Sequence, residues 1–282
     1  MSRKATEGLR ISLVCPTKLD ARRIVRLESS ESETENVKSL SFRDGLCSQA
    51  KPGQYVMFWV VDVDEVPMSL SRIGPGDICG VLVEKVGEAT EAIHELKVGQ
   101  AFGIRGPYGN YFTLVEGRAL LVAGGMGIAP LLPLANSLRA QGTRVELVCG
   151  AQTAAELCGL RQARKVVDSL RVTTDDGSYG TKGLVTSLLP PILEERDYNM
   201  VYCCGPEPMM RRVFLLTEKY GLPLQASMER IIKCSVGLCG SCMIGKYRVC
   251  KDGLILTSEQ LREVADEFGV YRRGFDGRRV PF

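Results

Sequence analysis

The sequence predicts a multi-domain chain in three parts: an antiparallel β-barrel, an α/β domain on a parallel sheet, and a small C-terminal cysteine-rich module. Three observations predict it. Short strands punctuated by turn signals fill the first part, strands alternate with helices from about Gly117, and four cysteines crowd between Cys234 and Cys250. The corresponding divisions are residues 1–115, 116–227 and 228–282, a reasonable partition of 282 residues.

In the first part the expected strands are Arg10–Val14, Arg23–Glu28, Val37–Phe42, Gln54–Val60, Gly80–Val86 and Ala101–Ile104. Asp44-Gly45, Lys51-Pro52-Gly53, Gly74-Pro75-Gly76 and Gly106-Pro107 supply turns between them. Strands at this spacing favour a small barrel. The second part reads as strand Ala119–Val122, helix Ala129–Ala140, strands Val145–Cys149 and Val172–Thr174, helix Leu184–Leu189, strand Met200–Cys203 and helix Pro208–Tyr220. Such alternation puts helices on both faces of a parallel sheet. From Met228 onward the pattern dissolves into a Cys/Gly-rich loop and a polar tail.

Composition narrows the function. Hydrophobic residues are 45% and charged residues 24%, as in soluble globular proteins. A net charge of +3 is too small to make nucleic acid an expected partner. The tail pairs Arg272-Arg273 and Arg278-Arg279 read as a solvated or partner-facing surface. The start, MSRKATEGLR, has no apolar leader core. The uncharged run Ala119–Leu138 holds three glycines and two prolines, which suits strand, turn and helix better than a membrane span. A cytoplasmic protein without a membrane partner is expected.

Eleven cysteines are many for a compartment where stable disulfides are rare. Cys15, Cys47, Cys79, Cys149, Cys158, Cys203 and Cys204 are dispersed and read mostly as buried, inert thiols. The others follow Cys234-x4-Cys239-x2-Cys242-x7-Cys250. C-x4-C-x2-C is the plant-type [2Fe–2S] spacing. Two irons need four thiolates within a few ångströms, and a tight loop delivers three of them. Gly237 and Gly240 let that loop turn and bring N–H groups to the sulfurs. A four-cysteine zinc site and unmetallated thiols are the alternatives. Zinc usually takes paired short-spaced cysteines, and here only Cys239 and Cys242 form such a pair.

Gly124-Gly125-Met126-Gly127-Ile128-Ala129-Pro130 follows a strand and opens a helix. Gly124, Gly125 and Gly127 would let a phosphate approach the backbone at a helix N-terminus, and Pro130 suits the first turn. The pattern is G-x-G-x-x-P, and a plain structural turn would also explain it. Cys204-Gly205-Pro206-Glu207-Pro208-Met209 stands at a second strand-to-helix junction on the ligand edge of such a sheet. There Cys204 could pack on a nicotinamide ring, with Gly205 and Pro206 shaping the turn. Asp175 and Asp176 could accept ribose hydroxyls, or simply serve the turn. With no Arg in Gly150–Thr153, they lean toward NAD(H) over NADP(H).

Taken in order, these motifs make the chain resemble ferredoxin-reductase-type iron–sulfur flavoproteins. More narrowly, it resembles the electron-transfer subunits of the NAD-dependent dihydroorotate dehydrogenases. Met228-Glu229-Arg230 through Cys250, and the ending Phe268-Gly269 to Arg278-Arg279-Val280-Pro281-Phe282, carry the narrower likeness. The resemblance implies FAD in the barrel, with its ring at Pro67, Met68, Ser69 and Leu70. It departs at Val66, where Arg is common; Arg72 is the candidate substitute. It implies a pyrophosphate cradle at Gly87, Ala89 and Thr90, and a cleft-closing turn at Gly106 and Pro107. NAD(H) exchanges two electrons and the cluster one, so a flavin belongs between them. No catalytic side chain is required, and the single histidine, His94, reads as a surface residue. The implied route runs from an FMN-containing dihydroorotate dehydrogenase catalytic subunit through [2Fe–2S] and FAD to NAD+, in a two-plus-two heterotetramer serving pyrimidine biosynthesis. A diaphorase subunit of a sulfide dehydrogenase, ferredoxin:NADP oxidoreductase or sulfhydrogenase is the alternative, and a non-catalytic zinc-binding or sensing module a second one.

Overall fold

The computed structural model describes residues 19–195 and 197–282. The strand expected at Arg10–Val14 lies outside the described residues. Strands β1 (Arg23–Ser32), β2 (Val37–Arg43), β3 (Tyr55–Val60), β4 (Asp64–Ile73), β5 (Ile78–Glu84) and β6 (Ala101–Tyr108) close into an antiparallel barrel in the order β1-β2-β5-β4-β3-β6. Alternation drives Val56, Phe58 and Val60 of β3 into the barrel core beside Leu40, Phe42 and Phe102. The rings of Phe58 and Phe102 stack at 4.1 Å and Phe42 meets Phe102 edge-on at 5.5 Å.

Strand β4 was not expected; it carries Asp64, Glu65 and Pro67, residue types that strands seldom hold. It tolerates Pro67 because residues 64–69 pair only with β3, and β5 takes over from Leu70 onward. Among the described residues the second edge of the Pro67–Ser69 segment therefore has no strand beside it. Helix α1 (Glu88–Glu95), also unexpected, follows β5 and seats Ile93 in the barrel core. His94 is half-buried on it, its Nε2 bonded to the Val83 carbonyl at 2.8 Å.

The second part contains β7 (Arg118–Gly124), α2 (Ile128–Ala140), β8 (Arg144–Ala151), α3 (Leu160–Val166), β9 (Ser169–Thr174), β10 (Thr181–Lys182), α4 (Leu189–Glu195), β11 (Met200–Cys204), α5 (Glu207–Lys219) and β12 (Leu224–Ser227). These strands are parallel in the order β10-β9-β8-β7-β11-β12. The expected helix at Leu184–Leu189 is a short 3-10 turn that runs into α4. The chain winds outward from β7 to β8 and β9, then returns to lay β11 on the other side of β7. That reversal opens a crevice at the C-terminal ends of β7 and β11.

The cysteine-rich part is more ordered than its composition promised. It holds the hairpin β13 (Met243–Ile244) and β14 (Tyr247–Arg248), the turn α6 (Val249–Asp252), strand β15 (Ile255–Thr257), helix α7 (Ser258–Glu263) and the hairpin β16 (Tyr271–Arg273) and β17 (Arg279–Pro281). Strand β15 pairs antiparallel with β12 and becomes the edge of the large sheet. Thr257 and Gln260 form a capping box that starts α7. A buried ionic node ties the parts together. Arg230 donates to Glu207 at 2.8 Å and to Glu267 at 3.1 Å, and those carboxylates also accept the N–H groups of Gly269 and Gly245.

Candidate functional site

A cleft of about 430 Å³ lies where the three parts meet. The barrel contributes the unpaired edge of β4, with Pro67, Met68 and Ser69, and Thr90 from α1. The sheet crevice contributes Met126, Pro130 and Cys204, and the segment after β12 contributes Met228 to Ile232. Most of these walls are apolar with a few polar groups among them, which suits a planar aromatic ring system.

The two strand-to-helix motifs are pressed together at one end. A Cβ on Gly127 would overlap the Cys204 carbonyl and come within 2.7 Å of the Gly205 nitrogen. One on Gly124 would meet the Met209 sulfur at 2.5 Å, and Gly205 stands at φ +149 within 3 Å of the Gly124 backbone if given a side chain. Glycine is thus demanded by the contact between the loops. Gly125 faces open space, and α2 begins directly after Gly127, so the backbone there is accessible to a ligand.

Other predicted residues fall further out. Leu70 points into the barrel core. Gly106 and Pro107 are buried at the end of β6, behind Tyr55, and do not line the cleft. Arg72 lies over Gly80 and is not among the residues that line the cleft. Gly87 and Ala89 open α1. The Thr90 hydroxyl is engaged locally, accepting from Val86 and Gly87 at 2.9 and 3.1 Å and donating to the Gly87 carbonyl at 2.9 Å. It shapes that turn. Asp175 and Asp176 are exposed on the loop after β9. Asp176 accepts from the Ser178 N–H and hydroxyl, which holds its carboxyl below the ordinary range. The Ser178 hydroxyl in turn accepts the Ala154 N–H at 2.8 Å, so this loop is tied to the turn after β8.

The four cysteines follow the cleft wall. Cys242 and Cys250 are buried, Cys234 is half-buried and Cys239 is exposed. They fall into two side-chain pairs, Cys234 with Cys239 and Cys242 with Cys250. Burial pushes the Cys234 thiol up, but N–H groups of Cys239, Leu238 and Val236 outweigh it and bring it down to about 7. The neighbouring Cys250 thiol brings Cys242 down to about 6, against its burial, and Cys250 is raised in return. Two thiol pairs with backbone N–H groups aimed at them are the arrangement that two irons, each taking two thiolates, would use.

Tyr55, which composition and motif did not mark, joins the two sites. It lines the cleft, and its hydroxyl donates to the Cys250 carbonyl at 3.4 Å. A signal was present: in a strand whose even positions fill the barrel, Tyr55 and Met57 must face outward, and both pack in the second core. The linings at Met126, Ser227 and Leu254 carried no comparable signal.

Two family models match the chain. Residues 121–214 match an oxidoreductase NAD-binding domain, and residues 229–262 match the iron-sulfur cluster binding domain of dihydroorotate dehydrogenase B. A protein of Methanothermobacter thermautotrophicus named probable dihydroorotate dehydrogenase B (NAD(+)), electron transfer subunit, is 41% identical over 274 residues, covering 96% of this chain and 99% of its own. The chain belongs to this family of dihydroorotate dehydrogenase B electron transfer subunits. A second member, from Methanocella arvoryzae, is 42% identical over 88% of this chain and 94% of its own. Among solved structures, one of an NADH-dependent reduced ferredoxin-NADP oxidoreductase superimposes with a TM-score of 0.77 at 28% identity, covering 86% of this chain and 91% of that one. A ferredoxin reductase of carbazole 1,9a-dioxygenase shares the fold, with a TM-score of 0.63 at 20% identity over 72% of this chain and 66% of that one. Both structures share the fold of this chain over the parts they cover.

Proposed function

We infer that this chain is an oxidoreductase subunit carrying electrons between a dihydroorotate-oxidising FMN subunit and NAD+ through a [2Fe–2S] cluster and FAD. The observation that carries this reading is the single cleft, in which the β4 edge, the Gly124–Pro130 loop, Cys204 and the segment leading to the cysteines form adjoining walls. When bound, the flavin exchanges electrons singly with the cluster and in pairs with the nicotinamide.

The residues of the chain bind, orient and exclude water. The unpaired edge at Pro67–Ser69 offers backbone groups and the Ser69 hydroxyl to the polar rim of a flavin ring. Met68 and Met126 supply apolar contact on the ring faces. Gly87, Ala89 and Thr90 shape the turn for the FAD pyrophosphate, while Gly106 and Pro107 support the barrel end from behind. Gly124, Gly125, Gly127 and Pro130 receive the dinucleotide phosphates, and Cys204, Gly205 and Pro206 bound the nicotinamide pocket. Asp175 and Asp176 stand on the ribose side. Cys234, Cys239, Cys242 and Cys250 hold the cluster. Residues 1–115, 116–227 and 228–282 serve as the flavin, nicotinamide and cluster parts.

The partner docks where the cysteine loop meets solvent. Leu238, between Cys234 and Cys239, is 83% exposed and Phe275 of the last hairpin is 80% exposed. Large exposed apolar groups on the cysteine loop and on the hairpin that carries Arg278 and Arg279 suit a protein interface. A two-plus-two assembly in the cytoplasm is proposed with it; no helix among the described residues is long and apolar enough to cross a membrane. Co-expression with a candidate FMN subunit should give dihydroorotate-dependent NAD+ reduction that neither chain shows alone. Complexes containing FAD and iron but lacking that activity would defeat the assignment.

A further inference from the structure

Tyr55 sits on β3 with 1% of its surface exposed, at the wall shared by the cleft and the cysteine loop. Its ring lies 5.8 Å from that of Tyr108 and its hydroxyl donates to the main-chain carbonyl of Cys250 at 3.4 Å. Ser235, the residue after Cys234, is 3% exposed and stands at φ +62, a region that non-glycine residues seldom occupy. Among the described residues its Oγ, next to the Tyr55 hydroxyl, has no hydrogen-bond partner. A buried, unsatisfied hydroxyl on a strained residue is costly and calls for a reason beyond packing.

We infer that Tyr55 is a positioning residue for electron transfer between the flavin cleft and the cysteine cluster. Its ring fixes one wall of the cleft, and its hydroxyl fixes the main chain of a cluster ligand. Cleft and cluster are thereby held at one spacing across a bonded contact. This rests on the reading of the two sites given under Proposed function. Electron transfer weakens exponentially with the gap it crosses, so a small loosening at this contact is felt in the rate. Each crossing would carry one electron between flavin and cluster with no bond made or broken at Tyr55, and the two electrons of one NADH would need two crossings, the cluster passing the first to the FMN partner subunit before taking the second. Tyr55 is neither oxidised nor deprotonated.

The test uses the complete FAD- and iron-loaded chain under anaerobic conditions, mixed rapidly with NADH. Flavin bleaching reports the nicotinamide half-reaction, and the electron paramagnetic resonance of freeze-quenched samples reports arrival at the cluster. Tyr55→Phe keeps the ring and removes the hydroxyl. The expected result is full FAD and iron content, unchanged flavin bleaching, a shifted cluster spectrum and cluster reduction slowed about three- to tenfold, the scale of one lost hydrogen bond. Ser235→Ala, which removes a hydroxyl without a partner and leaves the Tyr55–Cys250 contact in place, should keep wild-type cluster reduction. Wild-type cluster reduction with an unchanged spectrum in Tyr55→Phe would overturn the inference. So would equal slowing of both phases, or loss of either group from that variant. Wild-type protein that lacked FAD or iron, or whose flavin ignored NADH, would defeat the underlying functional reading and this inference with it.

Discussion

Replacing Gly127 with alanine tests the contact between the two nucleotide loops. Gly127 has ordinary helical backbone angles (φ −59), so alanine brings no conformational strain of its own. Its Cβ would nevertheless overlap the Cys204 carbonyl and lie 2.7 Å from the Gly205 nitrogen, both main-chain atoms that no rotamer change can move. Carbon contacts relax near 3.5 Å, so the loops must separate by on the order of 1 Å. Overpacking of this kind costs about 1–3 kcal/mol of stability. A displacement of about 1 Å beside reacting groups costs on the order of a hundredfold in rate. NADH-driven bleaching of the flavin should therefore lose about two orders of magnitude in kcat/KM, while FAD and iron contents hold. Gly125→Ala is the control: it meets no atom within 4 Å but sits at φ +52, so it should cost about 1–2 kcal/mol of strain and spare the loop contact. Wild-type NADH kinetics in the Gly127→Ala protein would refute the reasoning.

Other consequences are equally direct. Serine at Cys239 should remove iron and acid-labile sulfide while NADH still bleaches the flavin; retained iron would reject this cysteine as a ligand. Arg230→Met leaves Glu207 and Glu267 buried without their cation, and should lower stability by about 3–5 kcal/mol in denaturant titration. A midpoint within error of wild type would show the node to be dispensable. In the barrel, Asp44 is pushed up by burial but pulled lower by Arg23 and the Cys47 N–H, and Arg105 lowers Glu65 against its burial. Both carboxyls thus titrate below their ordinary values of 3.8 and 4.5. Their contribution is present above those values and lost as pH falls through the lower folded ones. Unfolding free energy should drop from pH 6 toward pH 3, and Asp44→Asn should flatten that drop.

Much of the architecture was legible because its signals are local. The alternation in Val37–Arg43, the apolar β-branched and aromatic run Tyr55–Val60 and the strand–helix rhythm after Gly117 lie in continuous segments, and the cysteine spacing lies in one loop. What escaped depends on distant pairing. Strand β4 looks broken by Pro67 until it is seen that β3 alone borders it there. Ile255–Thr257 is too short to declare itself a strand, and it becomes one because β12 lies alongside. The cleft shows the same division. Gly124, Gly127 and Cys204 announce themselves by motif and Tyr55 by its outward place on β3, whereas Ser227 and Leu254 line it only through the arrangement of the three parts.

The short strand β15 also limits how this protein can be taken apart. A chain ending near residue 227 would lose more than its iron-binding loop. It would present the whole outer flank of β12, with N–H and C=O groups facing water, as a template for strand exchange with its own copies. Excising the cysteine region to obtain a simple NADH–flavin enzyme should therefore yield aggregates unless a replacement strand or a blocking charge is supplied at that border.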